Sequence, residues 1–357
     1  MSQPKSHPSW IGHTISGRYK IESLLGQGGM SSVYKATDPN LRRTVAVKLI
    51  HPHLSSDEQF VRRFEQEAAA VAQLRHPNII QVFDFNHDGD VYYMVLEFIP
   101  GETLQDRLKS LNDSNRQFEL ADTVKIMATI CDAVAYAHDK GMIHRDLKPA
   151  NVMLNPNGQP VLMDFGVAKM LGTAQHTATG AIIGTAKYMS PEQARGERPD
   201  ARTDIYSLGV MLFEMITGAA PFDDESTVSI LMKHVTEEPP DINQIKADIP
   251  PGLAAVVKRA LAKDRNDRYQ SAAEMAAALR AVDLAEQPLP AAAPVPQPDP
   301  DKTVLQTPGA HTSVVPPSAS LPSPTSNVAV PMWAIGVVIV LLILILAGGA
   351  YALFNRG

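Results

Sequence analysis

GMIHRDLKPANVMLNPNGQPVLMDFG, residues 141–166, is the stretch from which the rest of the chain can be placed. It holds His144-Arg145-Asp146, then Lys148 and Asn151, and it ends in Asp164-Phe165-Gly166. Between these lie Val152-Met153-Leu154, a polar turn over 155–159 and a second apolar run over 161–163. The pattern predicts a loop, a strand, a tight turn, a strand and another loop. A hairpin brings its two ends together, so Asp146, Asn151 and Asp164 are expected to converge. Three oxygen-bearing side chains beside a lysine suit a magnesium–phosphate site, because Mg²⁺ prefers carboxylate, carbonyl and phosphate oxygens. A solvated, charged hairpin in some other α+β protein is the plainer reading of the same letters.

The 357 residues could hold two ordinary domains, or one large domain with appendages. A net charge of −6 supplies no basic field for nucleic acid, and none is expected as a partner. Cys131 is the single cysteine, which excludes an intrachain disulfide and points to a reducing compartment. It falls in a helical run over 123–140, where a buried, inert thiol is expected. The eleven histidines show no cluster at metal-ligand spacing. The first forty residues lack an apolar core segment, so no signal peptide is expected. Residues 332–354 carry no charge over 23 positions, enough for a helix to cross ~34 Å. Trp333 and Tyr351 stand near the two ends, as in an aromatic belt. A membrane anchor is expected there.

Residues 1–17 read as a loose leader. Residues 19–47 alternate short apolar runs with glycine-rich or polar turns, as a small antiparallel sheet does. Ser55-Ser56-Asp57-Glu58 has the form of a capping box opening a helix that runs to about Leu74. Two further strands are expected over 80–85 and 91–98, joined by His87-Asp88-Gly89-Asp90. From Gly101 onward amphipathic helical patterns dominate. Five strands and one helix, then mainly helices, predict an α+β chain of two lobes with a cleft between them, connected through 97–100. Residues 285–331 are rich in Pro, Ala, Ser and Thr, with Lys302 as the one basic residue. Such a segment cannot bury enough apolar surface to fold, and a disordered linker is expected there.

HRDLKPAN, followed thirteen residues after its Asn by DFG, resembles the catalytic signature of protein kinases. The other motifs fall in order around it. Leu25-Gly26-Gln27-Gly28-Gly29-Met30-Ser31-Ser32-Val33 resembles the phosphate-binding glycine-rich loop, whose backbone N–H groups approach a phosphate without Cβ interference. Ser31 stands where the family has its third glycine. Val45-Ala46-Val47-Lys48 matches the strand whose lysine reaches the α- and β-phosphates, and Glu67 sits where the family's paired glutamate falls. Glu65 is a rival by residue type, about 200° away around the helix.

Several roles follow from the resemblance alone. Asp146 orients the acceptor hydroxyl and takes its proton, and Lys148 neutralises charge on the transferred phosphoryl group. Asn151 and Asp164 hold the metal, while Phe165 sets the state of its motif. Ala46, Glu97 and Ile99 join the loop residues in holding the nucleotide. ATP with Mg²⁺, or Mn²⁺ in its place, is the implied cofactor set. Lys148 two residues after Asp146, with Thr185 of GTAKYMSPE supporting both, matches the Ser/Thr branch, so proteins with Ser or Thr acceptors are the implied substrates. Ser190-Pro191-Glu192 replaces the family's APE by one letter. Glu192 is expected to pair with Arg268, and Asp204 to brace the catalytic loop.

The implied fold is the bilobal protein-kinase fold: an N-lobe (18–98) with a five-stranded antiparallel sheet and one helix, and a mainly helical C-lobe (101–284). The linker, one C-terminal transmembrane helix (332–354) and a short outer tail (355–357) complete the chain. The whole is similar to the bacterial membrane-anchored Ser/Thr kinases. In that family Arg145 pairs with phosphate on the loop after DFG. Thr177 and Thr179 match its autophosphorylated T-x-T, and Thr173 is a further candidate. ATP requires the catalytic portion on the cytoplasmic side of the cell membrane, although Arg356 then lies outside, against the positive-inside tendency. No sensor domain is expected beyond the membrane. Gly348 and Ala352 form a small-xxx-small pair that suits a homodimer. Thr303, Thr307 and Thr312 are candidate sites for phosphothreonine readers. A membrane pseudokinase or scaffold, and a small-molecule phosphotransferase of related fold, are the competing classes.

Overall fold

The computed structural model describes residues 10–165 and 184–286, without the side chains of His53, Arg63 and Glu67. The chain divides into two units, Met1–Ala291 and Ala292–Gly357. The second lies outside the described residues, and with it the expected anchor and most of the linker. Among the described residues no helix is long and apolar enough to cross a membrane.

Strand β4 (Arg43–Ile50) shows how sequence period becomes architecture. Side chains alternate across a strand, so Val45, Val47 and Leu49 face one way while Ala46, Lys48 and Ile50 face the other. The first set joins Ile15, Tyr19, Ile21, Tyr34, Tyr93 and Val95 in a core on the outer face, against which Trp10 packs. Ala46 and Ile50 belong to the main core shared with the helices. Lys48 is therefore the charged member of an inward-facing row.

Around β4 an antiparallel sheet runs in the order β1-β2-β3-β4-β6-β5. Its other strands are β1 (Thr14–Ile15), β2 (Tyr19–Gln27), β3 (Ser31–Asp38), β5 (Val82–Asp88) and β6 (Val91–Glu97). The sheet thus has six strands, where five were expected. Thr14–Ile15, inside the presumed leader, pair with Lys20 and Tyr19, and Ile15 is buried. Two residues carry no periodicity, which is why the sequence does not announce them.

Between β4 and β5 lie a single turn, α1 (Pro52–Ser55), and helix α2 (Glu58–Ala72). The cap of α2 is Asp57, whose carboxylate accepts from the N–H groups of Gln59 and Phe60; Ser55 closes α1 instead of opening α2. Asp57 wins because Pro52 already starts a turn of helix, and Pro suits a first helical position.

Beyond β6 come β7 (Glu102–Thr103), α3 (Leu104–Asp113) and α4 (Leu120–Asp139). A 3₁₀ turn, Pro149–Asn151, leads into the predicted hairpin of β8 (Val152–Leu154) and β9 (Pro160–Leu162), which with β7 makes a small sheet. The helical lobe continues through α5 (Pro191–Ala194), α6 (Ala201–Thr217), α7 (Thr227–Thr236), α8 (Ile242–Ile245), α9 (Pro251–Ala260) and α10 (Ala272–Arg280). Nearly every residue of α6 from Thr203 to Ile216 is buried, as befits a helix apolar on all sides. Cys131 is buried within α4, and burial pushes its thiol well above the ordinary range, leaving it the inert thiol expected.

Candidate active site

The hairpin does bring its ends together. The N–H of Met163 donates to the carbonyl of Asn151 at 2.8 Å, so the residue before Asp164 is tied to the end of the 3₁₀ turn. The His144 ring strengthens this closure. Its Nε2 lies 2.9 Å from the carbonyl of Met163, and the Asp146 N–H reaches its Nδ1 at 3.3 Å. A carbonyl only accepts, so Nε2 carries the hydrogen and Nδ1 accepts, which defines a neutral ring. Burial pushes the His144 pKa down and keeps it neutral. Phe165 packs against that ring at 4.7 Å between centroids.

Asp146, Lys148, Asn151 and Thr185 form one connected group. The Lys148 ammonium lies 3.1 Å from the Asp146 carboxylate and donates to the Thr185 hydroxyl at 3.0 Å. The Asn151 amide nitrogen donates to the Asp146 carbonyl at 2.8 Å and to its carboxylate at 3.1 Å. Asn151 is buried and points its nitrogen at Asp146, so its remaining polar atom is a carbonyl oxygen.

Lys48 reaches from the sheet to Asp164 at 2.7 Å, and its charge is the main cause of an Asp164 pKa below the usual carboxylate range. Glu67 lies on α2 as expected, but its side chain is outside the described residues, and so are Gly166, Thr173, Thr177 and Thr179. Of the nucleotide-side candidates, Leu25 and Gly26 to Val33 span the end of β2, a turn and the start of β3, with Gly26 paired to Val33 and Gln27 to Ser32. Ala46 pairs with Leu96, and Glu97 closes β6 beside it, with Ile99 packed against the main core.

Backbone strain marks this site. Arg145 and Asp164 adopt φ of 65° and 49°, a left-handed conformation that side chains with a Cβ seldom take. Asp204, buried in α6, counters the first: its carboxylate accepts the N–H groups of His144 and Arg145, each at 2.8 Å, and the ring of His138 at 2.7 Å. Asp204 was legible in the sequence, whereas His138 was not. Gln193 was also missed. Its amide nitrogen donates to the Arg145 carbonyl at 2.9 Å, and its oxygen accepts from the Ser190 N–H at 3.1 Å. The Ser190 hydroxyl answers by accepting the Gln193 N–H at 3.3 Å, completing a capping box. The one-letter departure at Ser190 therefore has a local cause, since alanine could not make that bond. The signal, Ser190-x-x-Gln193, was present in the sequence.

Glu192 and Arg268 pair as expected, at 2.9 Å through both oxygens, with both side chains buried.

A family described as the protein kinase domain matches residues 19–279. The chain belongs to this family. It is 39% identical over 270 residues to serine/threonine-protein kinase PrkC of Bacillus subtilis, covering 76% of this chain and 41% of that one. It is 43% identical over 280 residues to serine/threonine-protein kinase PknB of Mycolicibacterium smegmatis, covering 77% and 44%. The crystal structure of a mutant PknI kinase domain from Mycobacterium tuberculosis is similar with a TM-score of 0.61 at 27% identity, over 77% of this chain and 98% of that one. The chain spans less than half the length of those two curated relatives. The family brings with it the kinase fold, a sheet-built N-lobe on a helical C-lobe, and implies ATP and a divalent metal.

Proposed function

We infer that this chain is a protein Ser/Thr kinase that transfers the γ-phosphoryl group of ATP to hydroxyl groups of proteins. The observation that carries the reading is the linked set Asp146–Lys148–Thr185 beside Asn151, with Lys48 reaching from the sheet to Asp164 at the far end of the same hairpin. Phosphoryl transfer needs positioning and charge stabilisation more than covalent chemistry. The Asp146 carboxylate, held by Lys148 and Asn151, is placed to orient an acceptor hydroxyl and take its proton. Lys148, anchored by Thr185, sets a positive charge where the transferred group passes. Lys48 steadies the nucleotide phosphates from the sheet side.

The donor set fits a magnesium ion. Asn151 and Asp164 offer hard oxygens, and among the described residues no acidic or histidine cluster builds a closed cage. Mg²⁺ keeps waters and phosphate oxygens around one or two protein ligands, and Mn²⁺ accepts the same donors. The bound ion would screen the charge of the phosphates. A scaffold without turnover is disfavoured, because Lys48, Asp146, Asn151 and Asp164 are all present, Asn151 bonded to Asp146 and Lys48 paired with Asp164. The test is incorporation of labelled phosphate from ATP into a generic protein acceptor, with Asp146→Asn as control. Absence of incorporation by the wild-type chain would overturn the reading.

Further parts of the proposal rest on sequence. Thr177 and Thr179, with Thr173, are autophosphorylation sites that raise activity. Arg145 supports this, since its Nε is buried without a hydrogen-bond partner among the described residues and suits a phosphate. Unchanged activity after replacing both Thr177 and Thr179 by alanine would remove it. Residues 332–354 anchor the chain in the cell membrane with the kinase portion in the cytoplasm, an assignment supported by 23 uncharged positions. Release of the full chain from membranes by alkaline carbonate would refute it. The linker threonines dock phosphothreonine readers, which phosphopeptide mapping of the active chain tests, and Gly348 with Ala352 supports a homodimer.

A further inference from the structure

His51 lies three residues beyond Lys48, where β4 ends, and it touches the glycine-rich loop at three points. Its main-chain N–H donates to the Met30 carbonyl at 3.0 Å. Its ring Nδ1 lies 3.2 Å from the Gly29 carbonyl, and its Nε2 lies 3.1 Å from the Ser32 hydroxyl. The roles of these atoms can be worked out. A carbonyl oxygen only accepts, so Nδ1 carries a ring hydrogen; in the neutral form of the ring Nε2 is then the acceptor and Ser32 donates to it. His51 is 7% exposed, so water competes little for these bonds.

The loop needs such a hold. Glycines that let backbone N–H groups approach phosphates also give the chain more conformations to lose on binding. A side chain at Gly26 would meet nothing within 4 Å, and Leu24 and Leu25 are about half exposed, so little packs on the loop from outside. Within the turn, the Gly28 N–H donates to the Ser31 carbonyl at 2.8 Å. His51 fastens the tip of that turn to the strand that carries Lys48.

Resting on the kinase reading above, we propose that His51 is a positioning residue that holds the tip of the glycine-rich loop in register with Lys48 over the nucleotide phosphates. Its loss raises the cost of ordering the loop around ATP and leaves acceptor binding and the transfer group at Asp146 untouched. This differs from a histidine that is merely satisfied in the core, whose removal would lower stability and every kinetic constant together.

The test compares the full-length wild-type chain with His51→Ala, His51→Asn, His51→Gln and Ser32→Ala. ATP and ADP dissociation constants, both KM values, kcat and Tm are measured. For His51→Ala a weakening of ATP and ADP binding by about fivefold to tenfold is expected from the loss of one to two neutral hydrogen bonds, with kcat and acceptor KM within about twofold. His51→Asn places an amide N–H where Nδ1 stands and recovers most of that affinity. His51→Gln reaches toward Ser32 instead and recovers little, and Ser32→Ala weakens nucleotide binding only slightly. Unchanged nucleotide affinity in His51→Ala overturns the proposal, as does His51→Gln outperforming His51→Asn, or both KM values rising in step with a fall in Tm. If His51→Ala does not fold, the order of the Asn and Gln variants decides. A wild-type chain that binds ATP without transferring phosphate counts against the kinase reading, while the affinity comparison still decides the role of His51.

Discussion

Replacing Asp204 by asparagine changes one atom type at a fully buried site and tests how the catalytic loop is held. In the native chain one carboxylate oxygen accepts the N–H of His144 at 2.8 Å and the His138 ring at 2.7 Å, and the other accepts the N–H of Arg145 at 2.8 Å. Asparagine has one acceptor oxygen. If it takes the doubly bonded position, its NH₂ group faces the Arg145 N–H, donor against donor. The lost charge-assisted bond and the stranded donor are each worth about 1.5–3 kcal/mol and overlap in part. The left-handed backbone at Arg145, itself a cost of about 1–3 kcal/mol, also loses its restraint and can relax. A net destabilisation of about 2–4 kcal/mol is expected. Relaxation at Arg145 displaces Asp146, the next residue, and a shift near 1 Å at a reacting group costs about 10²-fold in rate. Denaturant unfolding gives the first figure, and steady-state kinetics on phosphate transfer give the second. KM for ATP is expected to change little, because Lys48 and the glycine-rich loop belong to the sheet. Native stability together with kcat within about threefold of wild type would refute the reasoning.

Three other outcomes are expected. Glu192→Gln leaves the Arg268 guanidinium charged at a site of no exposure, where the pair now bonds through both oxygens; a loss of about 3–5 kcal/mol is expected in denaturant unfolding, and a change below about 1 kcal/mol would refute it. Gly101 has φ of 136°, and a Cβ there would lie 2.0 Å from the Leu154 carbonyl, so Gly101→Ala must part β7 from β8; a fall in Tm of several degrees is expected, and an unchanged Tm would contradict the geometry. His234 is buried and bonded to the Lys187 carbonyl and the Tyr206 hydroxyl, and burial lowers its pKa from 6.5 to about 4. Between those values the unfolded chain binds a proton that the native chain refuses, so stability falls as pH falls through this window, by about 3 kcal/mol at most. His144 and His76, lowered by burial too, act in the same direction. His234→Gln should flatten this part of the stability profile, and a slope equal to wild type would sink the argument.

Where sequence reading succeeded and failed has a common physical basis. Lys48, Asp146, Lys148, Asn151, Asp164 and Thr185 were named from motifs that resemble the kinase signature, and their described side chains form two linked sets, Asp146–Lys148–Asn151–Thr185 and Lys48–Asp164. The expected pairing of Glu67 falls outside those side chains. The misplaced cap of α2 is a local contest between Ser55 and Asp57, decided by Pro52 starting a turn earlier. The missing sixth strand is two residues long and holds its place only through pairing with β2 and burial of Ile15. His138, Gln193 and His51 make bonds across 66, 48 and 22 positions of chain, and such partners leave no periodic trace.

The hairpin of residues 141–166 therefore settles by itself what can be settled locally. Its strands, its turn and the order of its charged residues follow from alternation and turn chemistry, which depend on neighbours in the chain. The kind of chemistry and the residues that carry it came from the resemblance of its motifs to the kinase signature. Only the tertiary structure decided how those residues are held: a neutral His144 closing the hairpin, Asp204 restraining a left-handed Arg145, Gln193 bonded to its carbonyl, and His51 clasping the loop above. Each of these is a buried polar group that must find a partner, and which partner it finds depends on where distant segments pack.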